Sequence, residues 1–285
     1  MARGSWLVAR FVAQVFRPAC RPTAFAKAPA SLAEAKRRRK GLRYIWFAIA
    51  LALASPAFAQ RGGGRGRGAP ANPRDGAAID LTGYWVSVIS EDWKFRMVTP
   101  KKGVYDSLML NAEGRRLADT WDPAKDEAAG EQCRAYGAAN IMRIPGRLHI
   151  TWQDDDTLKI ETDAGTQTRL LHFGDPAPAG EPSWQGSSTA LWERASSRGS
   201  QGGNLKVVTT NLKPGYLRKN GAPYSARTTV TEYFDRNTMP NGDVWFTVTT
   251  KVEDPVYSRG PYLTATDFKK LPDASGWNPT ACSAR

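Results

Sequence analysis

The sequence predicts a mainly β fold, either an antiparallel β-barrel or a sandwich, with one substantial helix. Short segments that alternate apolar and polar residues recur along the chain and are separated by turn residues. About ten such segments follow residue 79, which is typical of a sandwich or an antiparallel barrel. The spacing does not follow the strand–helix–strand pattern of a parallel sheet, and the sequence contains no internal repeat.

The clearest strand signal is a three-stranded meander that starts at residue 147. Leu148, Ile150 and Trp152 alternate on one face of its first strand, and the turn residues 154–156 follow. The candidate strands are 83–89, 92–99, 147–152, 158–163, 166–173, 190–193, 205–212, 228–234, 243–252 and 262–269.

The helix is predicted over residues 111–121. Asn111 is a favourable N-cap, and Glu113 lies where the helix dipole favours a negative charge. Leu117 and Trp121 are four residues apart and therefore share one face. Residues 124–145 read as a long connection with at most a short helical turn.

Residues 36–60 have the pattern of a bacterial secretory signal. Six basic residues precede an apolar run, 44–53, and residues 57–59 match a small-x-small cleavage site. An uncleaved membrane anchor is the alternative, but ten apolar residues fall short of the roughly 20 that a bilayer span needs. We expect cleavage after Ala59, a periplasmic or secreted protein, and no stable membrane span after cleavage. Residues 1–35 are expected to be an over-called N-terminal extension.

The formal net charge of +13 is unevenly distributed. Residues 1–59 carry eleven basic residues and one acidic residue, and residues 60–78 carry four and one. The remaining 79–285 therefore carry 25 of each sign, so a nucleic-acid partner is not expected. The Gly- and Arg-rich segment 60–78 is interpreted as a flexible linker, and 79–285 as one β-barrel domain.

Two cysteines, Cys133 and Cys282, follow the predicted cleavage site. An even number in an oxidising compartment predicts a disulfide, with two separate buried thiols as the alternative. Their spacing matches neither a zinc site nor a redox motif, and the two histidines lack a nearby carboxylate cluster. No metal site is expected.

Eight tryptophans follow residue 59, and they have two interpretations. They either pack the core or line a cavity that accepts an apolar or sugar ligand. In the second case, the candidate ligand-binding residues are Trp85, Trp152, Arg169, Trp192, Tyr233 and Trp245.

Gly83-Tyr84-Trp85 resembles the Gly-x-Trp opening of lipocalin-like, calycin-type barrels. The resemblance implies that Trp85 plugs one end of the barrel and that a basic residue of the last strand, Lys269 or Lys270, packs over it. A second resemblance, to a large group of secreted bacterial proteins of unassigned function, brings no catalytic residues with it. It covers residues 183–193, 205–210, 219–225, 231–233 and 252–255.

Three side chains are candidates for acid–base catalysis: His172, Glu193 and Glu232. A carboxylate that points into an apolar cavity has a raised pKa and suits a general acid or base. Placement on the outer face of an alternating strand is the alternative for each. His149 is expected opposite Glu161 as an ordinary cross-strand pair.

Three functions remain open from the sequence. The first is a barrel that binds a hydrophobic or aromatic small molecule, with His172, Arg169 and Glu232 as polar anchors. The second is an isomerase, lyase or hydrolase in the same cavity. It would need no cofactor, since phosphate-loop, dinucleotide and Gly-x-Ser-x-Gly motifs are absent from the sequence. The third is an envelope accessory protein that binds another protein. The oligomeric state is left open.

Overall fold

Nine β-strands close into a barrel in the computed structural model, which describes residues 72–174, 180–194 and 202–285. The predicted signal sequence, its cleavage site after Ala59 and most of the predicted linker lie outside the described residues. A mainly β fold with few helices and a closed barrel confirms the predicted fold class and decides against a sandwich.

The barrel strands and the elements that cover them alternate along the chain. The helices are α1 (Trp93–Arg96), α2 (Ala112–Ala118) and α3 (Pro123–Ala128), and 3₁₀ turns span Arg134–Tyr136 and Ile141–Arg143. The strands are β1 (Gly83–Val88), β2 (Arg147–Trp152), β3 (Thr157–Thr162), β4 (Gln167–Phe173), β5 (Ser187–Arg194), β6 (Gly203–Thr210), β7 (Gly215–Arg218), β8 (Ala222–Tyr224), β9 (Thr229–Thr238), β10 (Val244–Glu253) and β11 (Tyr262–Lys270).

Around the barrel, the strands follow the order β1, β11, β10, β9, β6, β5, β4, β3, β2. β7 and β8 form a separate hairpin. Neighbouring barrel strands are antiparallel except β4 and β5, which are parallel. Strands that only alternate in direction can close a ring of even number, so nine strands require a parallel pair. The barrel is therefore antiparallel, as predicted, except at this one seam.

Each of the nine barrel strands lies within or overlaps a segment that the sequence predicts as a strand. The predicted strand at 92–99 is wrong: Asp92 adopts a left-handed conformation (φ 47°), and one helical turn, α1, follows it. The hairpin of β7 and β8 was not predicted, because strands of four and three residues are too short to show alternation.

The predicted helix is α2. Its N-cap is Asn111, whose side chain accepts a hydrogen bond of 2.8 Å from the backbone N–H of Gly114. The helix ends at Ala118, three residues before the predicted end. The long connection that follows contains α3 and the two 3₁₀ turns.

Side chains fill the barrel interior. Every second residue of each strand points inward, as the period of a β-strand requires. The inward side chains include these residues, none more than 1 % exposed: Trp85, Ile150, Leu158, Ile160, Leu171, Leu205, Val207, Phe234, Phe246, Val248 and Phe268.

One end of the barrel is closed by the segment that precedes β1. The Nε1–H of Trp85 donates to the carbonyl of Leu81 at 2.8 Å, and Lys270 lies 5.4 Å from the ring centroid of Trp85. The Nε1–H of Trp192 donates to the carbonyl of Pro73 at 2.9 Å. Arg194 also donates to the carbonyl of Gly76, so part of segment 72–78, predicted as linker, contacts β5.

The other end of the barrel is covered by the long segment between β1 and β2 together with the β7–β8 hairpin. A second apolar cluster joins this cover to the barrel, because it contains the strand residues Val230, Val252 and Tyr262 as well as Leu110 of the cover and Tyr224 of the hairpin. This cover provides the clefts that are described below.

A disulfide joins Cys133 to Cys282, which confirms the predicted pair. The two residues are 149 positions apart, so the bond ties the C-terminal segment to the cover. Among the described residues, no helix has the length and apolar character that a membrane crossing requires.

We expect loss of this disulfide to lower the free energy of unfolding by about 4–5 kcal/mol, because it closes a long loop in the unfolded chain. Urea unfolding of the double variant Cys133→Ser/Cys282→Ser measures this change. Dithiothreitol should destabilise the natural protein by a similar amount and leave the double variant unchanged. Equal stability of the two proteins under oxidising conditions would contradict the prediction.

Candidate functional site

Two predicted site residues, Arg169 and Glu232, meet inside the barrel. Arg169 of β4 donates from Nη1 to Oε1 of Glu232 at 3.0 Å and from Nη2 to Oε2 at 2.5 Å. Both side chains are fully buried. Thr209 lies 3.5 Å from the same Nη2 and is hydrogen-bonded to Ser188 at 2.7 Å.

This bidentate pair changes the role that the sequence suggested for Glu232. The carboxylate of Glu232 accepts two charge-assisted hydrogen bonds from one guanidinium, which is the geometry of a strong ion pair. Val207 of β6 lies directly opposite Glu232 in the sheet register, and Val207 and Phe234 are both fully buried. Arg169 and Glu232 therefore form a structural ion pair in a filled core, and neither is presented to a ligand there.

Three aromatic rings meet at the barrel end nearest residue 72. Trp152, Phe173 and Trp192 have ring centroids 5.2–6.5 Å apart and are partly buried. Trp85 lies deeper and packs edge-to-face on Phe246, with the two ring centroids 4.6 Å apart. These rings pack on one another and on the segment before β1, which is the core-packing interpretation of the tryptophans.

The other predicted site residues lie on the outer face of the barrel. His172 neighbours the inward-facing Leu171 and lies 3.3 Å from the hydroxyl of Thr157. Glu193 lies 3.7 Å from Lys206. Tyr233 and Trp245 alternate with the inward-facing Phe234 and Phe246. These four lie apart from the Arg169–Glu232 pair. On the same outer face, His149 lies 3.3 Å from Glu161, as the sequence predicted.

The cover contains a cleft of about 330 Å³ with a strongly basic lining. We call it the arginine cleft. Its charged side chains are Arg96, the last residue of α1, Arg143, the last residue of a 3₁₀ turn, Arg218, the last residue of β7, and Lys219. The other lining residues are Phe95, Met97, Val98, Thr99, Tyr136, Asn140, Ile144, Pro145, Ala164 and Thr280.

Local sequence determines how one wall of this cleft is built. Tyr136 packs against Gly165, which follows β3 in a left-handed conformation (φ 80°). A Cβ atom at residue 165 would lie 2.2 Å from the Tyr136 ring, so only glycine allows this contact. The Ala164-Gly165 turn therefore brings the barrel rim against the cover.

The three arginines are almost fully buried, at 8 % exposure for Arg96, 4 % for Arg143 and 2 % for Arg218. Arg96 Nε donates to the carbonyl of Arg143 at 3.0 Å, and Arg218 Nη1 donates to the carbonyl of Asp106 at 2.7 Å. The guanidinium of Arg218 also lies 4.0 Å from the ring centroid of Phe95.

The carboxylates near these arginines compensate them incompletely. Glu91 pairs with Arg96 at 2.5 Å and Asp92 with Arg143 at 3.1 Å, and both acidic side chains are about one-third exposed. No described carboxylate forms an ion pair with Arg218. Four guanidinium nitrogens of these three arginines lack a hydrogen-bond partner among the described residues: Arg96 Nη2, Arg143 Nη1, Arg218 Nε and Arg218 Nη2.

Burial lowers the pKa of Arg96 because it removes water from the charged group. The nearby carboxylate of Glu91 opposes this effect, and the positive charge of Arg143 adds to it. The guanidinium of Arg96 is therefore destabilised in its charged form, and a negative charge in the cleft would stabilise it.

None of the motifs in the sequence points to Arg96, Arg143 or Arg218. Each lies in an apolar context: Phe95-Arg96-Met97, Met142-Arg143-Ile144 and Leu217-Arg218. An arginine between apolar residues indicates a charge that the fold buries. Such a charge is seldom left without a partner, so the pattern points to a candidate binding residue. Nothing in the sequence indicates that segments more than 40 residues apart would bring the three together.

A second cleft, of about 400 Å³, lies beside α3 and is lined by Trp121, Asp126, Arg134 and Tyr216 among others. Burial raises the pKa of Tyr216, so its neutral hydroxyl donates to Asp126 at 2.9 Å. Arg134 forms an ion pair with the same carboxylate at 3.1 Å. Arg134 thus has a carboxylate partner in this cleft, whereas Arg218 in the arginine cleft has none among the described residues.

Comparison with known proteins found no match among protein-family models, curated proteins or solved structures. Within the described residues, no group of three or more His, Cys, Asp or Glu side chains is arranged to hold a metal ion.

We expect Glu232→Gln to lower the free energy of unfolding by about 3–5 kcal/mol, because it leaves the guanidinium of Arg169 buried without a counter-charge. Urea unfolding followed by circular dichroism measures this loss. The double variant Arg169→Met/Glu232→Leu should recover most of it, since apolar side chains of similar volume replace both charges. Glu193→Gln, on the outer face, is the matched control and should change stability by no more than about 0.5 kcal/mol. A Glu232→Gln variant as stable as the control would exclude a structural role for the pair.

Proposed function

We propose that this protein binds a small organic anion in the arginine cleft. Of the three functions that the sequence left open, this keeps the small-molecule binder and moves its site from the barrel interior to the cover. The filled interior supports the move, because the tryptophans and the Arg169–Glu232 pair use the space that a ligand would need.

The observation that carries the proposal is the incompletely compensated charge of three buried arginines, of which Arg218 has no described carboxylate partner. Burial of a charged group costs several kcal/mol unless the group is paired. In the arginine cleft, four buried guanidinium nitrogens lack partners while the cleft beside them is open. A carboxylate or phosphate group in the cleft would be attracted by four positive side chains, and guanidinium geometry suits both groups.

The rest of the lining favours a ligand with an apolar part. Phe95, Tyr136, Ile144 and Pro145 supply rings and aliphatic surface beside the charges. A volume of about 330 Å³ falls at the small end of the range for ligand pockets, roughly 300–1,000 Å³. An aromatic carboxylate or an aryl phosphate combines both properties.

The lining also favours binding over catalysis. It contains guanidinium, ammonium, amide, hydroxyl and phenol groups, and among the described residues it has neither a carboxylate nor an imidazole. Those two groups are the usual general acids and bases near neutral pH. The enzyme alternative therefore has less support at this site than the binding function.

Isothermal titration with benzoate, phenyl phosphate and benzamide tests the proposal on the protein as purified from cells. The two anions should bind, and benzamide, which has a similar shape without the charge, should bind at least about tenfold more weakly. Arg143→Gln and Arg218→Gln should each weaken anion binding by about tenfold or more, because each removes a charged hydrogen-bond donor.

Arg116→Gln is the control variant, because this arginine pairs with Glu113 on the exposed face of α2, outside the cleft. It should bind the anions like the natural protein. Arg143→Lys keeps the positive charge and should retain more affinity for the anions than Arg143→Gln. Because both variants replace the same buried side chain, a difference in affinity between them reports the charge rather than a loss of folding. Equal affinity for benzoate and benzamide, or undiminished anion binding in both glutamine variants, would overturn the proposal.

A further inference from the structure

A short loop beside the arginine cleft exposes three large apolar side chains. Trp93, Met97 and Val98 are 67 %, 59 % and 63 % exposed. Trp93 and Met97 are one helical turn apart, and the backbone N–H of Met97 donates to the carbonyl of Trp93, so both side chains project from the same side of α1. Apolar side chains that cluster on a surface indicate an interaction site more than isolated ones do.

The same loop carries exposed positive charges. Lys94, Lys101 and Lys102 are exposed, and between residues 93 and 102 there is no acidic residue. We call residues 93–102 the Trp93 loop. Its base is anchored, because the side chain of Asn220 donates hydrogen bonds to the carbonyls of Lys101 and Val104. The loop thus presents an apolar tip and a basic flank on a fixed support.

The charge of this loop limits what can cover it. Residues 79–285 carry equal numbers of acidic and basic residues, so the positive charge here is a local excess. In a twofold dimer through this face, the lysines of both copies would come close and repel one another. An occupant with negative charge and an apolar layer beneath it matches both features.

We propose that the Trp93 loop docks on the surface of an anionic lipid bilayer. Tryptophan is favoured at the boundary between headgroups and acyl chains, and lysines near an anionic surface each add to the attraction. Trp93, Met97 and Val98 would enter the interface, with the three lysines at the level of the headgroups.

Docking on a bilayer would bring the arginine cleft toward the membrane, because Met97 and Val98 belong to both the loop and the cleft lining. The inference does not depend on the cleft's ligand. It concerns exposed side chains, whereas ligand binding concerns the buried arginines, and the two proposals can fail separately.

Co-sedimentation with vesicles tests the inference. The folded protein should bind vesicles of phosphatidylglycerol and phosphatidylcholine, and should bind pure phosphatidylcholine vesicles at least tenfold more weakly. Binding should fall as salt is raised, since exposed charges are screened. Trp93→Ser/Met97→Ser and Lys101→Glu/Lys102→Glu should each reduce the partition coefficient by at least about tenfold.

Matched controls distinguish this surface from others. Leu191→Ser removes an equally exposed apolar side chain from β5, and Lys251→Glu reverses a charge on β10; both variants should bind vesicles like the natural protein. Arg143→Gln should lose anion binding in the cleft and keep vesicle binding within about twofold. The substituted loop residues and Leu191 are exposed, so their replacement leaves the core intact; circular dichroism verifies folding of each variant, including Arg143→Gln at its buried position.

Three results would overturn the inference. The first is an absence of binding to anionic vesicles by the folded natural protein. The second is vesicle binding that the loop variants leave unchanged. The third is a dimer in analytical ultracentrifugation that Trp93→Ser/Met97→Ser converts to a monomer, since this would assign the loop to a second copy of the chain.

Discussion

Closure of nine strands into a barrel with a filled interior is the constraint on which the rest of the structure depends. Closure sets the diameter, and large side chains such as Trp85, Phe246 and Phe268 then occupy the space inside. A ring with an odd number of strands also needs a parallel seam, which β4 and β5 provide. Because the interior is a core, a binding site in this protein has to be built outside it.

The cover at one barrel end supplies the material for such a site. Most of it is irregular chain between β1 and β2, and holding such a segment in one conformation costs conformational entropy that other contacts have to offset. Three features hold it: the Cys133–Cys282 disulfide, the apolar cluster around Tyr224 and Val230, and the contact of Tyr136 with Gly165. The arginines at the ends of α1, a 3₁₀ turn and β7 are therefore held by the cover rather than by the barrel wall.

The strands could be predicted from the sequence, because a half-buried strand alternates its side chains over a few residues, as Leu148, Ile150 and Trp152 do. The disulfide could be predicted from the number of cysteines. The direction of the β4–β5 pair could not, since local patterns contain no information about closure. The arginine cleft could not either, because Arg96, Arg143 and Arg218 meet only through tertiary packing. The sequence identified Arg169 and Glu232 as candidate site residues. The ion pair between them could not be predicted, because it depends on how strands that are distant in sequence are placed in the barrel.

The same structure buries arginines in two different ways, and this difference is the basis of the proposed site. Arg169 receives a carboxylate of its own, Glu232, in bidentate geometry, so its charge is neutralised within the core. Arg218 donates one hydrogen bond to a backbone carbonyl and packs on the face of Phe95. Neither contact supplies a negative charge, so the positive charge of Arg218 is not neutralised. Arg96 and Arg143 share this condition in part, since their acidic partners are partly exposed to solvent. A charge that a fold neutralises internally can be buried in a stable core, whereas a buried charge left beside an open cleft is available to a ligand.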